Sequence, residues 1–180
     1  METIIVILSI VIVVCLTLIL LIATYNHFQD YIIRINEADV NIDAVLRKRF
    51  DLLNKSVGII KNNINTEEPI LEILEKIRSK KLGNFELDRN LYEAINEFHS
   101  LKEKYPNLQE NKEFIKIEIN LIESESEIVG LRKYYNDIVT DYNKLVKVCP
   151  SNLIALFKGY KTKKYFDGHN IDKEKGTVNL

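Results

Sequence analysis

The chain has 180 residues, a net charge of −1 and a charged fraction of 28%, which suffices for one modest domain and an anchor. The near-neutral charge gives no indication of a nucleic-acid partner. Six glycines, three prolines and no tryptophan argue against a loop-rich or all-β protein, and the two cysteines, Cys15 and Cys149, lie in settings too different for a disulfide framework.

The first segment predicts a membrane anchor. Residues 4–23 are apolar except for Ser9, Cys15 and Thr17, and twenty helical residues span roughly 30 Å, the thickness of the hydrocarbon layer. A cleaved signal peptide is the alternative, but such a peptide carries basic residues before its apolar run, whereas Glu2 is the only charge here. We therefore expect a retained transmembrane helix that contacts the lipid bilayer through residues 4–23.

The distribution of basic residues predicts the orientation of this helix. No lysine or arginine precedes the apolar run, while Arg34 and the triplet Arg47, Lys48 and Arg49 follow it. Because basic residues are retained on the cytoplasmic side, we expect a single-pass protein of the cell membrane. Its N-terminus would lie outside and the bulk of the chain in the cytoplasm.

Beyond the anchor the apolar pattern is helical throughout. No proline occurs between Ala23 and Ile64, so the membrane helix is expected to continue as one long element. A second helix is predicted from a cap at Asn65 or Thr66 to about Ser79. Further helices are predicted over residues 86–104, 114–148 and 153–157. The predicted organisation is an anchor over residues 1–24, a helical bundle over 25–166 and a loose polar tail over 167–180.

The central helix carries the longest apolar pattern. Read in sevens, its seam runs for more than four heptads and only Ser124 interrupts it: Phe114, Ile117, Leu121, Ile128, Leu131, Tyr135, Ile138, Tyr142 and Leu145. Such a repeat is typical of a coiled coil and indicates a helix packed lengthwise on partner helices. A second row, Ile115, Ile122 and Val129, is expected to face a bundle interior. The predicted fold class is all-α, with a transmembrane helix continuing into an antiparallel bundle of three to four helices and a short C-terminal helix.

Several stretches resemble the LemA family. Residues 40–61 (VNIDAVLRKRFDLLNKSVGIIK) resemble its opening signature, and pieces of residues 105–166 resemble its second half: YPNL, ENKEF, ESEIVGLRKYYNDIVTDYN, CPSNLIALFKGY and KYF. The chain departs from the family pattern at Asn54, where proline is usual, at Cys149, where phenylalanine is usual, and around residues 80–88. The resemblance implies a bacterial single-pass membrane protein with an antiparallel helical bundle, and it implies no catalytic residues.

Few residues have the spacing that catalysis or metal binding requires. Glu123 and Glu127 share a helix face and would hold a divalent ion only if a second helix supplied further ligands. A solvated acidic face is the interpretation we favour. The three histidines lie far apart, and the sequence has no phosphate loop or nucleophile elbow. We therefore expect no catalytic residue, no metal site and no cofactor, and the chain is predicted not to be an enzyme.

Antiparallel pairing of the first and central helices predicts two structural ion pairs. If Asn63 lies beside Asn107, the numbers of paired residues on the two helices sum to about 170. This alignment sets Asp39 level with Leu131 and Arg132, and it brings Arg49 within reach of Glu118 or Glu125. The charges that interrupt one apolar stripe would then meet opposite charges, which would fix the register of the helices more than their net stability.

The segment after Pro150 interleaves aromatic and basic residues. Because an antiparallel central helix returns toward the bilayer, this segment is expected near the membrane surface, where rings lie in the interface and lysines meet anionic lipid. The membrane-interface candidates are Phe157, Lys158, Tyr160, Lys161, Lys163, Lys164, Tyr165 and Phe166. In the alternative, Leu153, Leu156 and Phe157 plug the open end of the bundle and the lysines are solvated. The sequence leaves both interpretations open.

The favoured functional hypothesis is a membrane-anchored bundle that binds other proteins, as a scaffold, an adaptor or an envelope-stress component. One alternative is an enzyme subunit at the membrane, which would need a pocket with convergent polar groups. Another is a sensor that binds a small ligand or an ion within the bundle. The sequence does not identify the protein partners, and it leaves a homo-oligomer open.

Overall fold

A computed structural model describes residues 1–63 and 68–166 of the chain. Every regular element in these ranges is a helix: α1 (Glu2–Asn63), α2 (Pro69–Ser79), α3 (Asn84–Lys104), α4 (Pro106–Gln109), α5 (Lys112–Lys147) and α6 (Ser151–Lys158). The all-α prediction is confirmed. The single turn α4 was not predicted, and it begins at a proline, a residue favoured at the first helical position. The predicted cap at Asn65 or Thr66 and the predicted polar tail, residues 167–180, lie outside the described residues.

Helix α1 runs without a break from the apolar segment into the folded part of the chain. All side chains of residues 1–23 are exposed, so no described part of the protein covers this apolar surface. Further along, one face of α1 is buried through Phe28, Ile35, Ile42, Leu46, Leu53 and Ile60. Asn54 lies within this regular stretch, and α1 continues through it as an unbroken helix.

The chain divides into two compact units. The first comprises Met1–Glu37 and Tyr135–Tyr165, and the second comprises Ala38–Tyr134 and Phe166–Leu180, of which Phe166 alone is described. Helices α1 and α5 each contribute to both units. In the second unit, Lys48 of α1 pairs with Glu127 of α5 and Arg49 pairs with Glu125, so the numbers rise along α1 as they fall along α5 and the two helices are antiparallel there.

In the second unit, helices α1, α2, α3 and α5 share one apolar core. Helix α2 packs on α3, and the ring of Phe98 on α3 stacks on Phe114 of α5 with centroids 4.3 Å apart. The buried side chains of the shorter helices follow a helical period: Ile70, Leu74 and Ile77 on α2, and Leu87, Leu91, Ala94, Ile95, Phe98 and Leu101 on α3. The helices that carry these buried faces are the partner helices that the apolar seam of α5 requires.

Helix α5 begins at a side-chain cap and buries most of its predicted seam. The Asn111 Oδ1 atom accepts hydrogen bonds from the backbone N–H groups of Glu113 and Phe114, both at 3.0 Å, as an N-cap residue does. Ser124 is fully buried, and its hydroxyl donates to the Leu121 carbonyl at 2.7 Å. The polar interruption of the seam is thus satisfied within its own helix.

The second apolar row of α5 does not face a bundle interior. Ile122 and Val129 are 58% and 53% exposed, and Ile115 is half-buried, so that prediction is wrong. The physical reason is that the seam and the second row repeat with the same seven-residue period but lie on different faces of the helix. The partner helices α1 and α3 cover only the face that carries the seam.

In the first unit, α6 and the segment after it pack on α1 and α5. The ring of Phe28 lies 5.0 Å from that of Tyr160 and 6.0 Å, edge-on, from that of Tyr142. Gly159 ends α6 with a φ of 70°, a left-handed conformation that glycine adopts without steric cost. The N–H of Tyr160 then donates to the Ala155 carbonyl at 2.8 Å, which closes the helix as in a Schellman motif.

Candidate interaction surfaces and buried ion pairs

The second unit contains a buried ion pair between α3 and α5. The Arg132 guanidinium donates to the Asp88 carboxylate, and both side chains are at most one-tenth exposed. The predicted pair of Arg132 with Asp39 is therefore not formed. Asp39 instead accepts a hydrogen bond from the Asn84 side chain at 3.0 Å. Helix α3 supplies the partners of both residues, Asp88 for Arg132 and Asn84 for Asp39. The prediction aligned only α1 with α5 and therefore did not include α3.

The second predicted pair, Arg49 with Glu125, is present in the structure. An N–H of the buried Arg49 guanidinium donates to the carboxylate at 2.5 Å, while Glu125 is 45% exposed. Beside it, Lys48 lies 3.4 Å from Glu127. Glu125 and Glu127 of α5 therefore meet two cations on α1.

A third cluster lies at the start of α2. The Glu68 carboxylate is buried and accepts hydrogen bonds from the Lys104 ammonium at 2.8 Å and from the Tyr105 hydroxyl at 2.5 Å. These two donors favour the charged carboxylate, so the pKa of Glu68 lies below its usual value despite its burial. The same contact raises the pKa of Lys104. The cluster ties the N-terminus of α2 to the C-terminus of α3.

The described residues contain no group of three or more histidine, cysteine and carboxylate side chains that could hold a metal ion. A surface hollow of about 520 Å³ lies between α1 and α2, within the size range of ligand pockets. Its lining is exposed apart from Val57 and combines Asp51, Asn54, Lys55, Gly58 and Arg78. It therefore lacks the apolar, enclosed lining that typical ligand pockets have.

The exposed face of α5 is a candidate protein-binding surface. Ile119, Ile122 and Val129 are each more than half exposed, and Ile115 and Ser126 fall on the same helix face because the five positions follow steps of three or four residues. From Ile115 to Val129 this stripe is about 21 Å long at 1.5 Å per residue. The sequence pattern predicted three of these positions, Ile115, Ile122 and Val129, but as part of the bundle interior, and it did not include Ile119 or Ser126.

The exposed side chains of α6 form a second candidate surface. Leu153, Leu156 and Phe157 are 61%, 81% and 95% exposed, so they do not plug the bundle and that alternative is wrong. Ser151 and Ala155 form the buried face of this helix. The Lys158 ammonium lies over the ring of Tyr25, 5.2 Å from its centroid. This contact places α6 beside the residues that follow the apolar run of α1.

The predicted membrane-interface residues separate into an exposed and a packed group. Lys158, Lys161, Lys164 and Tyr165 are exposed like Phe157. Three others are not exposed: Tyr160 and Lys163 are half-buried, and the buried Phe166 is a correction to the prediction. Phe166 is buried and stacks on Phe85 with centroids 4.1 Å apart.

The two half-buried residues, Tyr160 and Lys163, are held by specific hydrogen bonds. The Tyr160 hydroxyl accepts a hydrogen bond from the Gln29 side chain at 2.7 Å. The backbone of Lys163 makes two hydrogen bonds with the Asn143 side chain, at 2.8 and 2.9 Å. Alternation of aromatic and basic residues could not distinguish these packed positions from exposed ones, because the segment is irregular and has no helical period.

One comparison with known proteins identifies the family of this chain. Residues 38–180 match the LemA family, whereas a comparison with curated proteins finds no match. Among the described residues, α1 is the one helix long and apolar enough to cross a membrane. The family match covers well over half of the chain. We conclude that the chain is a membrane-associated helical protein that belongs to the LemA family.

Proposed function

We propose that this protein acts as a membrane-anchored scaffold or adaptor that binds another protein along the exposed stripe of α5, and not by catalysis. The observation that carries the proposal is the exposure of Ile119, Ile122 and Val129 on one face of a helix whose apolar seam is mostly buried. Contiguous exposed apolar surface of this kind marks interaction sites. Scattered surface leucines and isoleucines would not follow a helical period.

The shape of the stripe favours an amphipathic helix of the partner as its ligand. Four turns of helix with apolar residues at steps of three and four match the way helices pack along one another. One edge of the stripe carries Lys116 and Glu123, which are exposed and have opposite charges. They would pair with opposite charges beside the apolar face of the partner helix.

A photo-crosslinking amino acid at Ile122 of the intact chain tests this function in native membranes. We expect one recurring protein adduct, which is lost when Val129→Lys places a charge in the stripe. The matched control carries the crosslinker at Glu93, an exposed position on α3, and should not give this adduct. Adducts only with lipid, or equal adducts at both positions, would refute the proposal. An adduct between two copies of the chain would show that the stripe binds a second copy in a homo-oligomer and not a different protein.

We further propose that the protein body lies in the cytoplasm, with the N-terminus outside. Arg34 and Arg47 follow the apolar segment and are exposed, and no basic residue precedes it. Exposed basic residues near a span favour retention on the cytoplasmic side. A partner would then be met among cytoplasmic proteins or the cytoplasmic parts of membrane proteins.

A further inference from the structure

We infer that α6 is a second membrane contact, in which Leu153, Leu156 and Phe157 enter the headgroup region of the same bilayer that holds α1. The inference does not depend on the proposed partner of α5. It rests on the exposure of these three side chains on a helix that is otherwise anchored by its buried face. Helix α6 has only eight residues, and its buried face does not include Phe157, whose side chain is 95% exposed. An apolar surface of this kind indicates an interaction site.

The position of α6 along α1 identifies lipid as the occupant of this surface. Lys158 contacts Tyr25, and Tyr160 contacts Phe28 and Gln29. These α1 residues follow the end of the apolar run at residue 23 by two to six residues, or roughly 3–9 Å of helix. The headgroup region is roughly 5–8 Å thick on each side of the hydrocarbon layer. A membrane in which residues 4–23 are embedded therefore places its headgroups at the level of α6.

The charges around the apolar residues fit a bilayer surface. Lys158, Lys161 and Lys164 are exposed within eight residues of Phe157, and lysines at this level meet anionic headgroups while aromatic rings lie in the interface. Tyr25, which is 37% exposed beside Lys158, adds a further interfacial ring. Because α1 tethers α6 at the membrane, even a weak lipid contact would be populated.

The absence of tryptophan from the chain allows a direct test. The Phe157→Trp variant of the full chain is reconstituted in nanodiscs that contain phosphatidylglycerol and phosphatidylcholine, and brominated acyl chains serve as the quencher. We expect blue-shifted emission that the brominated lipid quenches. The control is Ile33→Trp, an exposed position on α1 about 15 Å beyond residue 23, which should remain unshifted and unquenched.

Three outcomes decide the inference. Quenching at position 157 and none at position 33 supports it. Emission at position 157 that matches position 33 overturns it, and so does a blue shift without quenching, which would place Phe157 against protein.

The lysines are tested by changing Lys158, Lys161 and Lys164 to Gln. If quenching is stronger in anionic than in zwitterionic discs and this difference is lost in the variant, the lysines contribute to the membrane contact. If quenching is equal in all cases, the lysines do not contribute to it.

Discussion

The buried pair of Arg132 and Asp88 makes a sharp prediction about stability. Changing Arg132 to Met removes the cation but keeps a side chain of similar length, so the Asp88 carboxylate stays buried at 4% exposure without its partner. Removing one member of a buried ion pair typically costs about 3–5 kcal/mol. The Asp88→Leu, Arg132→Met double variant removes both charges and should recover most of that loss, since apolar replacement of a whole buried pair is often neutral.

The assay is urea unfolding of the intact chain in nanodiscs, followed by far-UV circular dichroism. A shift of the midpoint at constant slope reports a change in the free energy of unfolding. The wild type, the single variants Asp88→Leu and Arg132→Met, and the double variant together form a double-mutant cycle. Arg47→Met is the matched control, because Arg47 forms an ion pair with Asp43 one turn away but is 71% exposed. Solvent screens such a pair, so we expect a far smaller loss.

Two results would refute the reasoning behind this prediction. If Arg132→Met and Arg47→Met lower the free energy of unfolding equally, burial does not decide the cost of losing the cation. If the double variant is no more stable than Arg132→Met alone, the single substitution acts through lost packing of the Arg132 side chain and not through an uncompensated Asp88 charge.

Three further predictions concern acid stability, helix faces and topology. The depressed pKa of Glu68 contributes stability that is present above the usual value of 4.5 and is lost as pH falls through the folded-state pKa; Glu68→Gln should therefore flatten the acid limb of a stability–pH profile. Leu121→Ala should cost about 2–5 kcal/mol in urea unfolding because Leu121 is buried, whereas the same change at the exposed Ile122 should cost about 0.5 kcal/mol or less. In a Cys15→Ser background, an impermeant maleimide should label the exposed Cys149 only after the cells are permeabilised, and labelling of intact cells would reverse the proposed orientation.

The sequence predicted the helices well because their signals are local. Apolar periodicity predicts the length of α1 and the seam of α5. The positions of proline and glycine predict that α2 ends near Ser79 and α3 near Lys104. The start of α5 was less accessible. Its cap, Asn111, follows the single turn α4, and no apolar pattern marks so short a helix.

The ion pairs were harder to predict because they depend on the register of several helices at once. The contacts of Arg49 with Glu125 and of Lys48 with Glu127 join numbers that sum to 174 and 175, about one helical turn from the predicted alignment. A shift of that size moves Asp39 away from the level of Arg132. A polar residue at a core position of α3, Asp88 beside Leu87 and Leu91, was the signal that could have identified the true partner.

The face of α5 that meets the bundle is selected by charge as well as by apolar content. Both apolar rows of this helix repeat every seven residues, and the seam is the longer of the two. The polar neighbours differ, however. Glu125 and Arg132 lie at the edges of the buried seam, where Arg49 of α1 and Asp88 of α3 can reach them.

Turning α5 to bury Ile122 and Val129 would separate both of these ion pairs and leave Arg49 and Asp88 as buried, uncompensated charges, an arrangement that is strongly destabilising. The ion pairs therefore oppose rotation of the helix although they add little net stability themselves. The consequence is that the second row stays exposed in the folded protein and available to a partner.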